Sequence, residues 1–161
     1  MAEFTSGNKL GEDLKAWVEE NCPSLPSVNQ LVFNLLVERE KLNPDPECAW
    51  AEAENFGAAL LTLVKDDTLS QMEVLWGIQF YCDKMGFPKL NNEYIVQAMF
   101  RSAYKFDLAE DDAFAEWKDD ETEAFEKGKI KAIIQTVEWF NWLAEADDSG
   151  DEEDEEDEQE E

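Results

Sequence analysis

The chain has 161 residues, 43% hydrophobic and 33% charged, so it can bury a core and is not a wholly disordered segment. Forty Asp and Glu against thirteen Lys and Arg give a formal net charge of −27. Such a field repels nucleic-acid phosphates and anionic lipid and draws in basic proteins, which argues against direct nucleic-acid or membrane binding and, through like-charge repulsion, for a monomer.

Seven Gly and five Pro are too few for a turn-rich β fold, and the apolar residues recur at helical spacing, so the predicted class is all-α. A first helix is predicted over Glu12–Glu20, with Leu14, Trp17 and Val18 on one face and Cys22-Pro23-Ser24-Leu25-Pro26 as its stop. Ser27 then suits an N-cap, followed by Leu31, Val32, Leu35 and Leu36 at three- and four-residue spacing, up to Asn43-Pro44-Asp45-Pro46. A third helix is predicted over Glu47–Lys65 and a fourth over Leu69–Lys84, closed by Gly86 in a left-handed C-terminal position. Three more follow, over Asn92–Tyr104, Ala109–Lys118 and Lys129–Ala146. No alternating strand pattern stands out. Short connections between the helices favour antiparallel pairs stacked as a HEAT-like α-solenoid. The expected organisation is a disordered lead or tag remnant at 1–10, a helical domain at 11–146 and a disordered polyacidic tail at 147–161. Twelve of those last fifteen residues are acidic and none is basic.

Chemistry is sparse. There is no histidine, no Gly-rich phosphate loop and no nucleophile elbow, so neither an enzyme nor a cofactor is expected. Cys22, Cys48 and Cys82 are odd in number and widely spaced, which reads as reduced, mostly buried thiols of a cytoplasmic protein rather than a disulfide or metal framework. No apolar run reaches the ~20 residues of a membrane span, and no signal peptide is apparent.

Two segments pair aromatics with acids. In the first, Phe114 and Trp117 share a helix face while Glu110, Asp111, Asp112, Glu116, Asp119, Asp120 and Glu121 surround them. In the second, Ile130, Ile133, Ile134, Val137 and Phe140 form a main apolar stripe beside Trp139 and Trp142, with Glu138, Glu145, Asp147 and Asp148 alongside. Aromatics at this spacing usually pack inward, and helical acids are usually only a solvated face. The sum of both segments and the tail favours a surface for lysine- or arginine-rich partners, with exposed aromatic edges adding apolar or cation–π contacts.

Val74-Leu75-Trp76-Gly77-Ile78-Gln79, Gly86-Phe87-Pro88-Lys89, the run Glu110 to Asp119, Lys127-Gly128-Lys129 and the run Trp139 to Ala146 resemble the W2 (eIF5C) domain at the C-termini of translation initiation factors. Ala113-Phe114-Ala115-Glu116-Trp117 with the following Gly-Lys resembles most the initiation factor 4 gamma family, including death-associated protein 5. The resemblance implies a HEAT-like binding platform at 11–146. It also implies basic partners: a MAP-kinase-interacting kinase, or the lysine-rich region of initiation factor 2 beta. Two other readings compete: guanine-nucleotide exchange or regulation on initiation factor 2, as in initiation factors 2B epsilon and 5, and an acidic chaperone driven by the tail. Ser149, followed by acids, suits an acidophilic kinase.

Overall fold

A computed structural model describes residues 10–21, 27–39, 45, 47–90 and 92–152, with side chains described as far as Glu145. Residues 1–9 of the lead, 22–26 with Cys22, 40–44, 46, 91 and 153–161 lie outside that range.

Eight α-helices make up the described chain: α1 (Gly11–Asn21), α2 (Val28–Arg39), α3 (Ala58–Val64), α4 (Thr68–Met85), α5 (Ile95–Lys105), α6 (Asp111–Asp119), α7 (Lys129–Gln135) and α8 (Val137–Glu152). The class is all-α, as the apolar spacing predicts. One hairpin interrupts it. Strands β1 (Lys89–Leu90) and β2 (Glu93–Tyr94) pair antiparallel, Lys89 opposite Tyr94 and Leu90 opposite Glu93.

The central element is α4. Its residues are apolar nearly all round, and Met72, Val74, Leu75, Trp76, Ile78, Tyr81 and Cys82 are all buried, which is what a helix enclosed on most sides requires. Against it lie α2, α5 and α6, while α1 rests on α3. The α2–α4 contact is close enough that a Cβ on Gly77 would sit 2.7 Å from Val32 Cβ and 2.9 Å from the Asn29 carbonyl. Gly86 ends α4 at φ 84°, a conformation that glycine adopts without the steric penalty of a side chain.

Two predicted helices are broken. The span Glu47–Lys65 is not one helix but a 3-10 turn (Ala49–Ala51), a π-type turn (Ala53–Gly57) and α3. The Asp45 carboxylate accepts from the backbone N–H of Glu47 at 3.0 Å and of Ala49 at 3.1 Å, and Asn55 Nδ2 donates to the Ala49 carbonyl at 2.8 Å. These side chains capture backbone groups that a straight helix would use, and Asn55 leaves helical geometry at φ −107°, ψ −107°. The break still buries Trp50 and Phe56.

Lys129–Ala146 divides at Thr136 (φ −114°, ψ 17°), whose hydroxyl donates back to the Ala132 carbonyl at 2.7 Å, a contact that bends helices. The register therefore changes between α7 and α8. Ile130, Ile134 and Val137, an apolar stripe on a helical wheel, end up 74%, 65% and 51% exposed. Only Ile133 and Phe140 of that stripe pack against the core. In the other direction, α8 continues past Asp147 to Glu152, into the segment where composition alone predicts disorder. Helix propagation from an anchored first turn adds one hydrogen bond per residue, and Ala144-Glu145-Ala146 are good helix formers.

Candidate protein-docking site

The acidic helix α6 is held by its apolar face. Ala113, Phe114 and Trp117 are buried, while Asp112, Glu116 and Asp119 face solvent. Phe100 of α5 meets the Trp117 ring edge-on at 4.9 Å and the Phe114 ring at 5.6 Å, and Phe114 meets Trp139 of α8 at 5.4 Å. Phe140 stacks parallel to Trp117 at 5.9 Å. Such a cage fixes which way the outer face of α6 points.

Two buried glutamines of α4 complete the mounting. The backbone N–H of Glu110, the residue preceding α6, donates to Gln71 Oε1 at 3.0 Å, and Gln71 Nε2 donates to the Val64 carbonyl at 3.1 Å. At the other end, Trp117 Nε1 donates to Gln79 Oε1 at 2.9 Å, while Gln79 Nε2 donates to the carbonyls of Phe125 at 2.8 Å and Lys127 at 2.7 Å. Trp76 stacks on Phe125 at 3.8 Å. The loop after α6 is thus pinned to α4 from below.

Four carboxylates converge at the α5–α6 turn. A cleft of about 600 Å³ is lined by Asp107, Glu110, Asp111 and Asp112 together with Tyr104 and Lys105. Sequence reasoning named three of these acids and missed Asp107. It occupies the left-handed region at φ 63°, which Asp tolerates better than most residues, and the short Phe106-Asp107-Leu108 link between two helical patterns is the signal that could have found it.

Asp119, Asp120 and Glu121 form a separate cluster around Lys129. The ammonium donates to the Asp120 carbonyl at 2.7 Å and lies 4.8 Å from the Trp117 ring centre. Burial pushes the Lys129 pKa below the usual lysine range, and the charges of Asp120, Asp119 and Glu121 oppose that shift. Asp120 also accepts from the backbone N–H and hydroxyl of Thr122 at 3.1 and 2.8 Å, so its carboxylate shapes the turn. Glu116 is exposed on α6 outside the cleft.

On α8 the predicted residues part company. Glu138, Trp142 and Glu145 are exposed, Trp142 at 48%. Trp139 is buried, stacked beside Trp142 at 5.2 Å. The expectation that Trp117 meets a partner is corrected, since it is wholly buried where the α5–α6–α8 junction needs large side chains to fill it; Trp139 is also a core member, but its exposed edge lines a cleft beside Trp142. Asp147 and Asp148 belong to α8, and their side chains lie outside the described residues.

Among the described residues no cluster of three metal-ligating side chains occurs, and no helix is long and apolar enough to cross a membrane. Cys48 and Cys82 are buried thiols; burial first, and the neighbouring Cys48 second, push the Cys82 thiol well above its ordinary range.

Comparison with known proteins gives consistent matches. The W2 family, described as eIF4-gamma/eIF5/eIF2-epsilon, matches residues 70–161. Eukaryotic translation initiation factor 4 gamma 2 of Homo sapiens, Mus musculus and Bos taurus is 30% identical over 93 residues, which is 58% of this chain. The matched region is 10% of the length of each of those relatives.

Proposed function

We propose, on the premise that this chain belongs to the W2 family of eIF4-gamma/eIF5/eIF2-epsilon, that it is a protein-binding module of translation initiation that captures a basic partner segment. Its helical pairs would form a HEAT-like platform in the cytoplasm, and the partners would be the lysine-rich region of initiation factor 2 beta or the basic segment of a MAP-kinase-interacting kinase. The observation that carries this reading is the convergence of Asp107, Glu110, Asp111 and Asp112 on one cleft beside the Tyr104 ring. Lysine ammonium groups entering it meet several carboxylates at once, and neighbouring carboxylates raise encounter rate and salt sensitivity more than one pair could.

The test is calorimetric titration of a lysine-rich peptide from initiation factor 2 beta into wild type and into Asp107→Asn/Glu110→Gln/Asp112→Asn. Exposed ion pairs contribute ~0–1 kcal/mol each, so losing three should weaken binding by about tenfold, the middle of that range. Wild-type affinity should fall steeply with added salt. Equal affinity of the two proteins, or indifference to salt, would refute the reading.

A further inference from the structure

The acidic cleft is not isolated. A second cleft, of about 370 Å³, shares Tyr104 and Lys105 with it and adds Gln97, Arg101, Glu138, Trp139 and Trp142. A third, of about 480 Å³, shares Gln97 and Glu138 with the second and adds Lys89, Tyr94, Ile134 and Val137. The shared walls join the three into one trough. Its floor follows a single stripe of α5, since Gln97, Arg101, Tyr104 and Lys105 stand at i, i+4, i+7 and i+8. The eleven residues of α5 span ~16 Å, room for about five residues of an extended chain.

The trough changes character along its length. At the C-terminal end of α5 are the carboxylates of Asp107, Glu110, Asp111 and Asp112. At the N-terminal end are Tyr94, Ile134 and Val137, with Trp142 in between. Of the seven exposed large hydrophobics among the described residues, four line the trough: Tyr94, Ile134, Val137 and Trp142. Charge is mixed away from the Asp107 end: Arg101, Lys105 and Glu138 line the middle, and Lys89, Glu93 and Glu138 line the apolar end, with Arg101 ion-paired to Glu93. The acidic end sets four carboxylates against Lys105 alone, so a lysine or arginine cluster is most favoured there.

We propose that the trough is built for a bipartite partner segment, a lysine or arginine cluster adjoining a short apolar anchor that seats on Trp142, Ile134 and Val137. This rests on the reading of the acidic cleft as a basic-segment site, and supplies what that cleft lacks, a means to distinguish one basic segment from another. The charges set encounter and the apolar end sets selectivity.

Fluorescence anisotropy with labelled peptides tests it: hexalysine, hexalysine extended by Gly-Leu-Phe-Leu at its N-terminus, hexalysine so extended at its C-terminus, and matching Gly-Ser-Asn-Ser length controls. At about 0.15 M salt, one apolar extension should tighten binding by about tenfold over the control. Ile134→Ser with Trp142→Ser should abolish that gain and leave hexalysine affinity within about twofold, and both side chains are exposed enough for the fold to survive. If hexalysine binds but neither extension gains, or the gain persists in the double variant, the bipartite proposal fails while the basic-segment reading stands. If hexalysine does not bind wild type at low salt, the basic-segment reading fails and the proposal with it.

Discussion

Gln79→Leu should loosen the acidic loop without touching a single acid. The side chain is fully buried and makes three hydrogen bonds, from Trp117 Nε1 and to the carbonyls of Phe125 and Lys127. Leucine keeps much of the volume and removes every polar atom. The buried indole N–H left behind costs ~1–3 kcal/mol, and the two carbonyls, which water can reach in part, ~0.5–1.5 kcal/mol each. Greater apolar burial of leucine offsets ~1 kcal/mol. The net loss is about 1–5 kcal/mol, equivalent to a drop of roughly 3–15 °C in Tm for a domain of this size. Urea unfolding followed by tryptophan fluorescence measures the first quantity. Amide hydrogen exchange measures the second effect, since protection should fall from Thr122 to Lys127 while Glu110, held by Gln71, keeps its own. A loss below ~0.5 kcal/mol with unchanged exchange would show that the glutamine bridge does not hold the loop, and the account of how α6 and its loop are mounted would be wrong.

Three further outcomes are expected. Gly77→Ala should cost about 1–3 kcal/mol by chemical denaturation, because its methyl meets Val32 and the Asn29 carbonyl inside van der Waals distance and α2 must move away. Arg101→Ala should lose well under ~1 kcal/mol at neutral pH, because the ion pair with Glu93 is largely solvent-exposed. Its pH dependence has a definite sign. Burial alone would raise the Glu93 carboxyl, but hydrogen bonds from Arg101 and Gln97 and the Arg101 charge hold it below the usual carboxylate range. The wild-type advantage should therefore be full at neutral pH and vanish as acid protonates Glu93, which parallel melts down the acid range would show. Maleimide should label Cys48 and Cys82 slowly in the native protein and completely in denaturant, since both are buried and the Cys82 thiol resists ionisation. Rapid native labelling of Cys82 would contradict its place in the core.

Local patterns in the sequence carry much of this fold. Glu12–Glu20 and Leu69–Lys84 are within a residue or so of α1 and α4, because each has a periodic apolar face and a clear stop. The breaks at Asn55 and Thr136 are hidden because they depend on which of two hydrogen-bond partners a short polar side chain takes, and tertiary packing decides that. The hairpin was in principle readable from the asparagines between Leu90 and Glu93; Asn92 does adopt φ 67°, but strands of two residues leave no alternation to count. For the site, composition marks the acids but not their grouping. Asp111 and Asp120 look equivalent in the sequence, yet one lines a cleft and the other shapes a turn. Nor could periodicity place Ile134 and Val137 outside, because the helix that would have buried them changes register one residue after Gln135.

The near-parallel indoles of Trp139 and Trp142 carry a practical consequence, since they are inclined by only 14°. Two such chromophores at van der Waals range couple electronically and should give a split circular-dichroism band that neither indole shows alone. One of the pair is buried but for an edge on the trough, and the other stands exposed at its wall. Anything that settles against the outer ring would disturb the splitting, so the molecule carries a label-free optical gauge of occupancy at that position.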